Sequence, residues 1–73
     1  MRRTEDAWIT TKVKTNMMAE KGLNSGHIKV VTENSVVYLM GMVSDKQARL
    51  ASDVARRVSG VRRVVTLFEN TQG

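Results

Sequence analysis

Few side chains in this sequence are suited to covalent chemistry. There is one histidine, His27, and no cysteine, so the commonest pairs of nucleophile and base cannot be assembled. His27 falls in a polar loop beside a strand and reads as a solvated loop residue. The seven acidic residues are scattered and have basic neighbours. Glu5 and Asp6 read as helix-start residues, Asp45 and Asp53 as helix-surface charges. A metal site needs several converging ligands, and no spacing suggests one. The glycines, at 22, 26, 41, 60 and 73, are isolated and form no phosphate-binding loop. No catalytic residue, metal ligand or cofactor is expected.

The chemistry of surface recognition is better represented. Ile9, Val13 and Met17 recur every four residues and define the core side of a helix. Trp8 and Met18 fall well away from that side, with Lys12 near Trp8 and Lys14 near Met18. The outward pair is separated by about 15 Å along the helix axis. An amphipathic aromatic, a flexible thioether and lysines on an outward face suit an interfacial membrane contact. A second reading folds Trp8 over a strand end to complete the core. A set of arginines forms another candidate surface. Arg49, Arg56 and Arg57 belong to the outer side of a second helix, and Arg62 and Arg63 follow in the next turn. They read either as a solvated helix face or as a phosphate-docking surface, for which the guanidinium fork is suited.

Composition bounds both readings. The chain has 73 residues, enough for one domain. A chain of this size buries only about 60% of the surface that its unfolded form exposes. Without cysteine there is neither a disulfide nor a thiolate metal site, so one aliphatic core must carry the fold. Twelve Lys and Arg against seven Asp and Glu give a net charge of +5, which favours anionic partners without choosing among them. No apolar run has membrane-spanning length. The opening MRRTEDAW contains no apolar segment of the signal-peptide kind, which leaves the parent protein's location open.

The elements that must position these residues follow from periodicity. The first helix is predicted from about Glu5 to about Glu20, with Thr4 as its cap and Lys21-Gly22 as its stop. Asn24, Ser25 and Gly26 make a loop. The first strand is Ile28 to Glu33, with Ile28, Val30 and Thr32 on one face and Lys29, Val31 and Glu33 on the other. Asn34-Ser35 is a two-residue hairpin turn, weaker than Asn-Gly because serine tolerates positive φ poorly. The second strand, Val36 to Val43, is apolar on both faces and is therefore expected at the centre of its sheet. Ser44 caps a second helix, Asp45 to about Ser59, whose Ala48, Ala51, Ala55 and Val58 form a narrow small-residue stripe. The third strand is Val61 to Glu69. The predicted fold class is α+β, an α-β-β-α-β sandwich. Its three-stranded mixed sheet has the order 1-2-3, with both helices on one face.

That order, together with particular residues, resembles the BON domain of bacterial envelope proteins. The likeness is carried by Asp6-Ala7-Trp8-Ile9-Thr10, Ile28-Lys29-Val30 and Val37-Tyr38-Leu39-Met40-Gly41-Met42-Val43. Ala48, Ala51, Ala55 and Val58-Ser59-Gly60-Val61, with Val64 and Phe68 behind, extend it from about Asp6 to Phe68. Within the family the sequence is most similar to the second of two such domains in an outer-membrane lipoprotein, through Trp8 to Val13, Thr32-Glu33-Asn34 and Arg57 to Val61. Met18 stands where leucine is expected, and Asn34-Ser35 where Asn-Gly is frequent. No lipobox cysteine is present, so an anchor would lie outside this segment.

The resemblance implies a single domain over residues 1–73, with a core of about 5–69, cut from a longer envelope protein. It implies a non-catalytic, periplasmic module associated with the outer membrane. Anionic phospholipid is the implied partner, and a second BON domain in the same parent chain is another. The implied lipid-binding residues are Trp8, Thr11, Lys12, Lys14, Thr15 and Met18. Arg49, Arg56, Arg57, Arg62 and Arg63 are candidate contacts to anionic headgroups. Two other classes of function compete. A structural or protein-interaction domain would use an open sheet face carrying Val31, Val65 and Leu67. Nucleic-acid binding is disfavoured, because Tyr38 and Phe68 are the sheet's only aromatics and there is no GXXG loop.

Overall fold

The computed structural model describes residues 3–70. Helix α1 spans Arg3–Ala19 and is followed by a short 3₁₀ turn, Ser25–His27. Strands β1, Ile28–Glu33, and β2, Val36–Val43, form a hairpin. Helix α2, Asp45–Arg56, crosses over to strand β3, Arg63–Asn70. The sheet order is β1-β2-β3, with β1 and β2 antiparallel and β2 and β3 parallel. This is the predicted α-β-β-α-β arrangement with β2 at its centre.

Both helices cover one sheet face. Ile9, Val13 and Met17 of α1 and Ala51, Val54 and Ala55 of α2 meet Ile28 and Val30 of β1 and Val37, Leu39 and Val43 of β2 in one buried cluster. Val64 and Phe68 of β3 pack against its edge. Met17, Leu39, Val13 and Val37 are the largest fully buried side chains, each worth about 1.5–3 kcal/mol of apolar transfer. Ala51 and Ala55 are fully buried too, and their small size lets α2 lie close to the sheet.

Both hairpin strands have their expected limits, whereas boundaries of α1, α2 and β3 differ. Helix α1 begins at Arg3, so Thr4 is a helical residue rather than a cap. Helix α2 stops at Arg56 instead of continuing to Ser59. The chain tightens there: Arg57 N–H donates to the Val54 carbonyl and Val58 N–H to the Ala55 carbonyl, both at 3.2 Å. That tightening still buries Val58. Strand β3 starts at Arg63 instead of Val61. Val61 N–H is used in the turn, on the Val58 carbonyl, and Arg62 N–H donates to the Ser35 carbonyl at 2.8 Å. The parallel ladder opens one residue later, at the Val36–Arg63 pair. Ser44 caps α2 as expected, its hydroxyl accepting from Gln47 N–H at 3.3 Å.

Three side-chain ties fix α1 and its exit loop on this frame. Asp6 accepts from the Asn34 and Ser35 amides at 3.0 and 2.9 Å. Thr10 donates to Thr32 across the gap between α1 and β1, at 2.7 Å. Gln47 accepts from Asn24 N–H at 2.7 Å and donates to the Gly22 carbonyl at 2.6 Å. The hairpin turn needs the first of these ties. Asn34 and Ser35 have φ of 50° and 66°, the two left-handed residues of a type I′ turn. The carboxylate holds both amides in a conformation that serine alone disfavours.

Candidate docking surface

The outer face of α1 is set by the residues that it buries. At 3.6 residues per turn, the direction opposite Ile9, Val13 and Met17 falls between Thr11 and Thr15, each about 20° away. Trp8 and Met18 lie about 40° to either side of it, and Lys12 and Lys14 about 80° to either side. The result is a stripe with a threonine centre, apolar ends and one lysine on each flank. Trp8 is 62% exposed and Met18 69% exposed. Trp8 therefore turns outward, and the alternative in which it completes the core does not hold.

Local geometry ties charge to the apolar ends. The Lys12 ammonium lies 5.7 Å from the Trp8 ring centroid, within cation–π range and worth about 0.5–1 kcal/mol at an exposed site. Thr11 donates its hydroxyl proton to the Ala7 carbonyl at 3.0 Å, so its oxygen lone pairs face outward as acceptors. Beside Met18 a groove of about 320 Å³ is lined by Lys14, Met17, Ser25, Gly26 and Ile28. The groove continues the stripe toward the 3₁₀ turn.

The arginines do not form one surface. Arg56 pairs with Asp53 at 3.0 Å, and Arg57 donates through Nε to the Asp53 carbonyl at 3.2 Å. Arg49 is exposed on α2 and Arg62 is exposed in the loop before β3. Arg63, expected in that turn, is the first residue of β3, and it points to the sheet face away from the helices because its neighbour Val64 points inward. The exposed Asp53–Arg56 pair contributes little to stability.

His27 is exposed in its 3₁₀ turn. Asp45 accepts from the Asn70 side-chain amide at 2.9 Å. Among the described residues no group of three or more His, Cys, Asp or Glu side chains could hold a metal ion. Among the same residues no helix is long and apolar enough to cross a membrane. Tyr38 and Phe68 lie on opposite sheet faces, since Phe68 packs on the core and Tyr38 alternates with buried Val37 and Leu39.

Sequence reasoning missed Asp6 as a turn clamp and Gln47 as a loop clamp. The one available hint was Asn34-Ser35 itself, a turn of poor intrinsic preference that required outside support.

Fold and surface together define a small α+β domain whose exposed chemistry lies along one helix and across one sheet face. The chain belongs to the BON domain family: the family's sequence profile matches residues 5–71. It is 38% identical over 66 residues to a protein of Haemophilus influenzae named outer membrane lipoprotein DolP, covering 90% of this chain and 34% of that protein. It is 40% identical over 67 residues to the 21 kDa hemolysin of Actinobacillus pleuropneumoniae, covering 92% of this chain and 34% of the relative. An uncharacterized protein of Anaplasma centrale is 34% identical over 62 residues, covering 84% of this chain and 41% of its own length. The chain thus spans only about a third of the first two relatives.

Proposed function

We propose that this BON domain is a non-catalytic module that docks on anionic phospholipid surfaces through the outer face of α1. The observation that carries this reading is the outward placement of Trp8 and Met18, 62% and 69% exposed, on one stripe between Lys12 and Lys14. In water these two side chains leave most of their apolar area unburied. At a lipid headgroup boundary the same area is buried and the ammonium groups meet phosphate. The setting is a periplasmic one at the outer membrane, supporting the cell envelope, an assignment supported by the relative named as an outer-membrane lipoprotein.

The magnitudes favour reversible docking over insertion. Each basic residue near an anionic leaflet contributes about 1 kcal/mol. Full burial of a large apolar side chain is worth about 1.5–3 kcal/mol, of which Trp8 and Met18 each realise a part. Two lysines and two apolar anchors give weak binding, and attachment to a sister domain or an anchor in the parent protein would multiply it.

The test is a titration of isotope-labelled domain with vesicles of anionic lipid, of neutral lipid, and with nucleic acid. Amide shifts along α1 with anionic vesicles alone are expected. Shifts confined to α2 and Arg62-Arg63, with α1 silent, would move the site to the arginines. A response to nucleic acid but not to lipid would overturn the proposal.

A further inference from the structure

The sheet face turned away from the helices is apolar at its centre and charged at its corners. The strand register places Val31, Tyr38 and Val65 in one row across the sheet and Lys29, Met40 and Leu67 in the next. Glu33, Val36 and Arg63 form the row at one end, and Glu69 pairs with Met42 at the other. Leu67 is 55% exposed and Met42 61% exposed. The charges alternate around the perimeter: Glu33 and Lys29 on β1, Arg63 and Glu69 on β3.

We infer that this face is a self-complementary interface that takes a second copy of this chain. Two identical faces pack together only about a two-fold axis lying in the plane between them. An axis parallel to the strands sets Glu33 opposite the partner's Arg63 and Lys29 toward the partner's Glu69. An axis across the strands sets Glu33 opposite the partner's Lys29 and Arg63 toward the partner's Glu69. Both place unlike charges together and both keep the strands of the two sheets aligned, the favoured geometry for sheet-on-sheet packing. Only a diagonal axis superposes like charges, and it crosses the strands. The apolar centre then closes on itself in every permitted arrangement.

The size of the face sets the strength. Three strands about 4.8 Å apart and four rows about 6.8 Å apart give a patch of roughly 15 by 25 Å. That is less than the ~800 Å² per partner buried in stable complexes. The dimer is therefore concentration-dependent, and it forms where the domain is crowded or tethered.

Sedimentation and amide shifts of the intact chain, followed from low micromolar to millimolar concentration, test this. The average mass is expected to rise toward that of two chains, with shifts at Val31, Tyr38 and Leu67 and none along α1. Leu67→Lys, at an exposed position, should abolish association while preserving the monomer spectrum elsewhere. Glu33→Lys meets a cation under either axis, in two symmetry-related places, and should weaken association about tenfold. A single-chain mass throughout, association that survives Leu67→Lys, or concentration-dependent shifts confined to α1 would overturn the inference. None of these readouts depends on lipid, so the docking proposal stands or falls separately.

Discussion

Gly41 lies so close to the His27 carbonyl oxygen that a Cβ at position 41 would overlap it. Its φ of 148° belongs to a region that side chains rarely adopt. The two constraints coincide where β2 passes the 3₁₀ turn that leads into β1. Gly41→Ala should therefore destabilise the domain by about 1–3 kcal/mol, read as a lower urea midpoint at unchanged slope. A midpoint matching the parent chain would show that the turn moves aside freely.

Asp6 should prove to be a fold residue. Its carboxylate holds the Asn34 and Ser35 amides, and charge-assisted hydrogen bonds are the stronger kind. Asp6→Ala is expected to cost about 1–2 kcal/mol, moderated by partial exposure. Hydrogen exchange at the Asn34 and Ser35 amides should accelerate more than at mid-strand amides. Uniform acceleration would mean that the tie is not local to the turn.

Ser35→Gly should stabilise. A side chain in the left-handed region costs about 1–2 kcal/mol, whereas glycine loses roughly 0.5–1 kcal/mol through its freer unfolded state. The difference favours glycine by about 0.5–1 kcal/mol, a gain measurable by thermal melting. A lower melting temperature would show that the Ser35 side chain contributes more than its backbone strain costs.

These residues also show what was legible beforehand. The hairpin strands were readable to the residue, because β2 is apolar on both faces and β1 is bounded by a polar loop before Ile28 and by the Asn34-Ser35 turn after Glu33. The end of α2 was not, because Val58 continues the apolar stripe of Ala51 and Ala55 after the chain has left the helix. Asp6 and Gln47 were unreadable for another reason. Each bonds backbone more than twenty residues away, and no local pattern encodes such a partner. Trp8 stood between. Its angle on the helix pointed outward, but only its 62% exposure in the folded domain shows that no strand end claims it.

Ala55→Leu should overpack the contact between α2 and the sheet, costing about 1–3 kcal/mol. The alanine is fully buried in the core cluster. Chemical denaturation measures the loss. Unchanged stability would mean that α2 can lift away from the sheet at little cost.

On membranes, apolar and electrostatic contributions should separate. Trp8→Ala should weaken binding to anionic vesicles even at low salt, and Met18→Ala should do so to a smaller degree. Lys12→Glu should weaken it chiefly at low salt, since exposed charges are screened over about 8 Å at physiological ionic strength. Vesicle co-sedimentation across a salt series makes the comparison. Loss of binding by Lys12→Glu that does not diminish with salt would point to a structural effect on the Trp8 ring.

The placement of both helices on one side of the sheet has a geometric consequence for valency. The α1 stripe looks away from the sheet, so two copies joined sheet to sheet turn their stripes in opposite directions. A flat bilayer can then engage one stripe of a pair and not the other. Pairing would add no avidity on a single membrane, but it would leave the second stripe free for a facing surface. In such an assembly the domain works as a spacer with two adhesive ends, its reach set by two sheets and two layers of helix.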